Sequence, residues 1–202
     1  MTEPRKLAAV ILAAGASSRM GRPKALLQFA GETFLDRLIA CFDGIAEPTV
    51  VVLGFNAGAI RTGIARALDA HIVVNPDPSR GMLSSLQCGL AALPKDVDGV
   101  FFMPVDLPAV RRSTIEQLAQ TAGPLVIPVF RGHHGHPVRV SQAIISELLE
   151  LPLTAQARDV IHRHSAVFVE VDDAGVLHDV DTPAEYEALV AGTAARHSLE
   201  RR

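Results

Sequence analysis

Cysteine is scarce in this chain of 202 residues: there are two, Cys41 and Cys88, far apart in helix-like patterns. Neither has a partner at metal-ligand spacing, which excludes a cysteine-based zinc site and reads both as free, buried thiols. Positive charge is not in excess either. Nineteen Lys and Arg against 22 Asp and Glu leave a net charge of −3. No broad basic surface follows, and no nucleic-acid partner is expected. No apolar stretch reaches the ~20 residues of a membrane-spanning helix. Residues 1–6 are polar, and the apolar Leu7–Ala14 run passes straight into a glycine loop rather than to a cleavage site. A secretory leader is therefore not read, and a cytoplasmic, reducing location is expected. Internal repeats, linkers and low-complexity tracts are also missing. One domain over residues 1–202 is expected, fraying from about Gly192.

What is present is an alternation of short apolar runs and amphipathic helical patterns. Leu7–Leu12, Thr49–Leu53, His71–Val74, Val100–Met103 and Leu125–Val129 are nearly continuous hydrophobic runs. That is the pattern of strands covered on both faces. In the first helix Phe34, Leu35, Leu38, Ile39 and Phe42 form one stripe behind Thr33 as N-cap. Ala57–Leu68 predicts a second helix, weakened by Gly58 and Gly63, and Met82–Leu93 a third. Ser113 to Glu116 reads as a capping box opening a fourth. Further on, Val138–Val140 reads as a strand, Gln142–Leu149 and Ala155–His164 as helices, and Ala166–Val171 as a strand. Thr182-Pro183-Ala184-Glu185 opens the last helix, with a cap, a proline at the first position and a glutamate at the third. The fold expected is α/β: a three-layer α/β/α, Rossmann-like arrangement with a mainly parallel sheet and a mixed C-terminal part.

The segment after the first strand carries the chemistry: Leu12-Ala13-Ala14-Gly15-Ala16-Ser17-Ser18-Arg19-Met20-Gly21-Arg22-Pro23-Lys24. Flexible backbone N–H groups and three cations, Arg19, Arg22 and Lys24, are what a polyphosphate needs. The spacing is neither that of a P-loop nor G-x-G-x-x-G, so the cradle is of another kind.

L-A-A-G-x-S-x-R-M-G-x-x-K resembles the signature of nucleotidyltransferases that act on molybdopterin. With Ala14 in place of a second glycine, the chain is most similar to the molybdenum cofactor cytidylyltransferase branch. The resemblance extends from Leu12 to Tyr186 through further motifs. It implies a nucleotide site formed by Leu12, Ala13, Ala14, Gly15, Ser17, Arg19, Gly21 and Lys24, with Asn75, Ser84 and Ser85 beside the base. It implies a divalent metal, Mg²⁺ or Mn²⁺, on Asp106 and Asp181. Asp106-Leu107-Pro108 fits the family's Asp-x-Pro, and Asp179-Val180-Asp181-Thr182-Pro183 its D-x-D-T-P. Lys24, Asp106 and Arg19 become the catalytic groups. Arg131 to Pro137 resembles the family's G-[RH]-x-G-H-P on the acceptor side, giving His133, Gly135, His136 and Pro137 as acceptor-binding residues. Arg158 joins them, although of the family's G-x-x-G-A-R only Ala157-Arg158 survives here. The implied partners are CTP, or another NTP, a molybdopterin-type phosphate, and a molybdoenzyme receiving the product.

Each motif also has a plainer reading. Asp106 past a predicted strand end lies where α/β sheets bind ligands, but it also suits a turn before Pro108. Asp181 complements a helix dipole. Ser84 and Ser85 cap a helix, His136 anchors a loop, and Arg158 is a solvated arginine. The three histidines of the 131–137 loop lack the paired ligands of a zinc site. Two other functions stay open on sequence alone: a guanylyl- or other nucleotidyltransferase for a sugar phosphate or small phosphate, and a non-catalytic molybdenum-cofactor carrier.

Overall fold

The computed structural model describes residues 5–199. In chain order the elements are β1 (Leu7–Ala13), β2 (Gln28–Phe29), β3 (Glu32–Thr33), α1 (Phe34–Phe42), β4 (Thr49–Leu53), α2 (Ala57–Gly63), β5 (His71–Val74), α3 (Met82–Ala91), β6 (Gly99–Pro104), α4 (Arg112–Gln120), β7 (Leu125–Phe130), β8 (His133–His134), β9 (Val138–Ser141), α5 (Gln142–Glu150), α6 (Ala157–Ile161), β10 (Val167–Glu170) and α7 (Pro183–Leu199).

The main sheet runs β10-β7-β9-β6-β1-β4-β5, with β8 attached to β7. β1 pairs in parallel with β4 and β6, β4 with β5, and β7 with β10. Only β9 and the short β8 run against the rest. The reversal follows β7, where Arg131 and Gly132 both take positive φ, 50° and 79°. Every residue of β1 is buried because the sheet is covered twice. Leu7, Ala9, Ile11 and Ala13 face a core shared with α1, α2, α4 and the start of α7. Ala8, Val10, Leu12 and Ala14 face a second core under α3, α5 and α6. This two-sided burial removes the alternation a half-exposed strand would show. On the second face α3 lies so close that a Cβ on Gly89 would stand 2.5 Å from Val10 Cγ1 and 2.7 Å from Val52 Cγ2.

The α/β, mainly parallel expectation holds, and so does the Thr33 cap, whose side chain accepts from Asp36 N at 3.0 Å. Three element readings are corrected. The α4 helix begins at Arg112 after an Arg111 cap, so Ser113 lies inside it. Buried Asp173 provides for that end from a distance, accepting from Arg111 N (2.9 Å) and Thr114 Oγ1 (2.7 Å). Helix α2 ends at Gly63 rather than Leu68, because the carboxylate of Asp36 draws off the N–H groups of Ala65 (3.1 Å) and Arg66 (2.8 Å). Helix α6 starts at Ala157, behind a Gln156/Asp159 capping box. The backbone of α7 continues past Gly192 to Leu199, while the remainder of the expected frayed end, residues 200–202, lies outside the described residues. No helix of the described residues is long and apolar enough to cross a membrane.

Candidate active site

The glycine loop leaves the carboxyl end of β1 and is held there by both neighbouring strands. Leu12 O accepts from Val105 N (3.0 Å), and Ala14 O accepts from Phe55 N (3.2 Å). Ser17, at φ 52°, closes the loop on itself, its Oγ accepting from Lys24 N at 3.1 Å. A cavity of about 350 Å³ opens above it. Its wall takes in Leu12 to Arg19, Lys24, Met82, Ser85, Asp106 and Asp181.

Charge is concentrated at one end of this cavity. The Lys24 ammonium donates to Asp106 Oδ2 at 2.9 Å and also to Asp181 Oδ1. The Arg19 guanidinium donates to Asp181 Oδ2 at 2.6 Å. Asp106 sits two residues past β6, and its carbonyl accepts from Val180 N at 2.9 Å, which brings the Asp181 segment alongside. Burial alone would lower the Lys24 pKa, but its hydrogen bonds to Asp181 and Asp106 outweigh that and raise it. The hydrogen bond from Lys24 likewise lowers the Asp181 carboxyl below its ordinary value, with a smaller push from Arg19. Asp106 Oδ1 is buried and has no hydrogen-bond partner among the described residues. A buried carboxylate oxygen without a donor is costly, and two converging carboxylates plus substrate phosphates are the hard-oxygen set a Mg²⁺-type ion takes. The residues present therefore fit a divalent cation.

The base-side candidates form a network of their own. Asn75 Nδ2 donates to Ser84 Oγ (2.9 Å) and to Ser85 Oγ (3.0 Å), while its Oδ1 accepts from Asp77 N (3.0 Å). Ser84 Oγ donates onward to Gly81 O at 2.9 Å. Of the three, only Ser85 reaches the cavity wall. Asn75 stands behind it and fixes where it points, while Ser84 shares the Asn75 amide.

Residues 9–167 match the MobA-like NTP transferase domain. The chain belongs to this family. The Escherichia coli (strain K12) molybdenum cofactor cytidylyltransferase is 25% identical over 178 residues, 88% of this chain and 92% of that one. The crystal structure of Rv0371c from Mycobacterium tuberculosis H37Rv is 30% identical, with a TM-score of 0.82, covering 95% of this chain and all of the other. Rv0371c has also been solved in complex with manganese, at 27% identity and a TM-score of 0.79 over 92% of this chain and 98% of the other.

In this MobA-like domain several sequence-selected residues lie away from the cavity wall. Gly21, at φ 67°, ends the short turn that carries Arg19. Arg22, grouped with Arg19 and Lys24 by the sequence, instead lies over the Tyr186 ring, 5.4 Å from its centroid. His133 and His134 are exposed on β8, and His134 stacks on Phe168 at 4.4 Å. Gly135 and His136 dock on Val176: a Cβ on Gly135 would be 2.5 Å from Val176 O, and His136 N donates to that oxygen at 3.0 Å. The His136 ring packs edge-on to Phe102 with a buried, unpartnered Nδ1. Burial lowers its pKa, partly offset by the Phe102 backbone and the charge of Asp106. Pro137 is buried beside it and leads into β9, whereas Arg158 is exposed on α6.

Sequence reasoning missed the second task of Glu185. Its Oε2 accepts from both Asp181 N and Thr182 N at 2.8 Å, so the cap of α7 also holds the Asp181 backbone. The T-P-A-E pattern marks the helix start but not this reach back to the preceding residue. Pro78 and Ile60 in the wall carry no sequence signal, since they are apolar residues like those of the core.

Proposed function

We infer that this family member is a cytidylyltransferase that moves CMP from CTP onto the phosphate of a molybdopterin-type acceptor and releases pyrophosphate. The observation that carries the transfer chemistry is the convergence of Lys24, Asp106 and Asp181 at the mouth of the glycine loop, with Asp106 Oδ1 left unpartnered. Likeness to the named Escherichia coli cytidylyltransferase, together with Ala14 in the loop, supports CTP and the acceptor class.

A phosphomonoester is already largely ionised at neutral pH, its second pKa being about 6. It attacks the α-phosphorus without a general base, so no nucleophile triad is required. The protein supplies position and charge. Loop N–H groups and Arg19 hold the β- and γ-phosphates, Lys24 neutralises charge building at the α-phosphate, and Ser85, aimed by Asn75, meets the base. Asp106 and Asp181 would hold Mg²⁺ or Mn²⁺, which would supply Lewis-acid stabilisation of phosphate charge worth roughly several kcal/mol. The His133–Pro137 loop follows β7 at the carboxyl ends of the strands, as Asp106 follows β6, and its His136 feels the Asp106 charge, which supports assigning the loop to the acceptor side.

The test is pyrophosphate release from each of the four NTPs, with and without molybdopterin. Release with CTP that depends on molybdopterin is expected. Preference for GTP would move the assignment to guanylyl transfer. Activity only with sugar phosphates would move the acceptor, and no release with any NTP would leave a carrier.

A further inference from the structure

The two carboxylates that fit a metal are bridged by a cation of the protein's own, Lys24. Three of their four oxygens are engaged: Asp106 Oδ2 and Asp181 Oδ1 by Lys24, and Asp181 Oδ2 by Arg19. Two carboxylates against two cations leave little net charge to draw in a divalent ion. Asp106 Oδ1 has no hydrogen-bond partner among the described residues, but it is buried, and Lys24 Nζ stands 2.9 Å from the other oxygen of the same carboxylate. An ion arriving alone would meet a like charge at close range in a partly buried site. The Lys24 side chain is 12% exposed, so water does little to screen that repulsion.

The geometry points to an exchange: Lys24 serves as a stand-in cation in the free protein, and a divalent metal enters only with the triphosphate. Phosphate oxygens give Lys24 and Arg19 new anionic partners. Both cations then leave the carboxylates, and Asp106 and Asp181 become ligands. Metal and nucleotide binding are thereby coupled, and the coupling is reciprocal: each raises the affinity for the other by the same factor. The lysine also holds the two carboxylates together, because both contact its ammonium and like charges brought to one cation would otherwise repel. This extends the metal and phosphate roles proposed above and rests on them.

Mn²⁺ binding without nucleotide, followed by the free-ion electron paramagnetic resonance signal, tests the exchange. The wild-type protein should bind Mn²⁺ weakly. Lys24→Met should bind it at least about tenfold more tightly, although its turnover is lost. Lys24→Gln, which keeps the length and a donor but no charge, gives the same comparison if the methionine variant does not fold. Wild-type binding of Mn²⁺ as tight as that of either uncharged variant would overturn the exchange. Asp106→Asn in the Lys24→Gln background separates this from failure of the site itself. If that change leaves the tight binding intact, Asp106 is not a ligand and the metal assignment falls with the exchange. If it abolishes the tight binding, the metal lies where both require.

Discussion

Glu185 accepts the backbone N–H of Asp181 at 2.8 Å, so the carboxylate that meets Lys24 is aimed from the first turn of α7. That turn is itself tied to the segment that follows the glycine loop. Tyr186 Oη donates to Gln28 O at 2.9 Å, and Arg22 lies over the Tyr186 ring. Replacing Glu185 with alanine is expected to lower kcat and weaken Mn²⁺ binding in the presence of CTP several-fold, with little change in Tm. Glu185→Gln, which retains an acceptor oxygen, should recover most of the loss. Equal damage from both substitutions would mean that the carboxylate does something other than hold this backbone.

Asp106→Ala is expected to abolish turnover and leave the fold intact, because the side chain lies at a strand end beside the cavity and not in either core. Lys24→Ala should cost at least about a hundredfold in kcat, the scale of losing one donor to developing charge. Both are read from pyrophosphate release, with circular dichroism as the fold control. Near-normal activity of Asp106→Ala in Mg²⁺ would remove the metal assignment, and unchanged release by Lys24→Ala would remove its phosphate role.

Burial holds the His136 imidazole below its ordinary 6.5. A lowered folded-state pKa means that the unfolded chain takes up the proton first. The stability this group contributes is then fully present above 6.5 and is lost as pH falls from there towards the folded value. Wild-type stability should therefore drop relative to His136→Phe between pH 7.5 and 5.5, whatever offset the substitution introduces. Chemical denaturation at several pH values measures this, and parallel curves would refute it.

Gly89 lets α3 touch the sheet. With a would-be Cβ only 2.5 Å from Val10 Cγ1, Gly89→Ala must push the helix or the strand away. Overpacking of this kind costs about 1–3 kcal/mol. A clear fall in Tm is expected, with pyrophosphate release retained well below that temperature. An unchanged or raised Tm would show that the interface has room to give.

Much of this protein could be read along the chain. The continuous apolar run Thr49–Leu53 became a strand at those bounds, because a parallel sheet buried on both faces imposes that pattern. His71–Val74 also became a strand at its expected bounds, but at the sheet's edge and with no buried residue, so its apolar run does not report two-sided cover. The glycine loop was legible because strand, glycines and cations follow one another within a few residues. Local rules failed where the deciding partner is distant in sequence. Ser113 to Glu116 has the letters of a cap, yet Asp173, some 60 residues on, took that role. Asp36 cut α2 short from nearly 30 residues away. The sequence by itself determined the fold class and singled out the glycine loop and two candidate carboxylates, Asp106 and Asp181. Only the tertiary structure decided that Lys24 bridges Asp106 and Asp181, that Arg22 turns to Tyr186, and that Asn75 stands behind Ser85. Those outcomes depend on which side chains meet across strand ends, and a carboxylate or ammonium takes whichever partner the packing brings within hydrogen-bond distance.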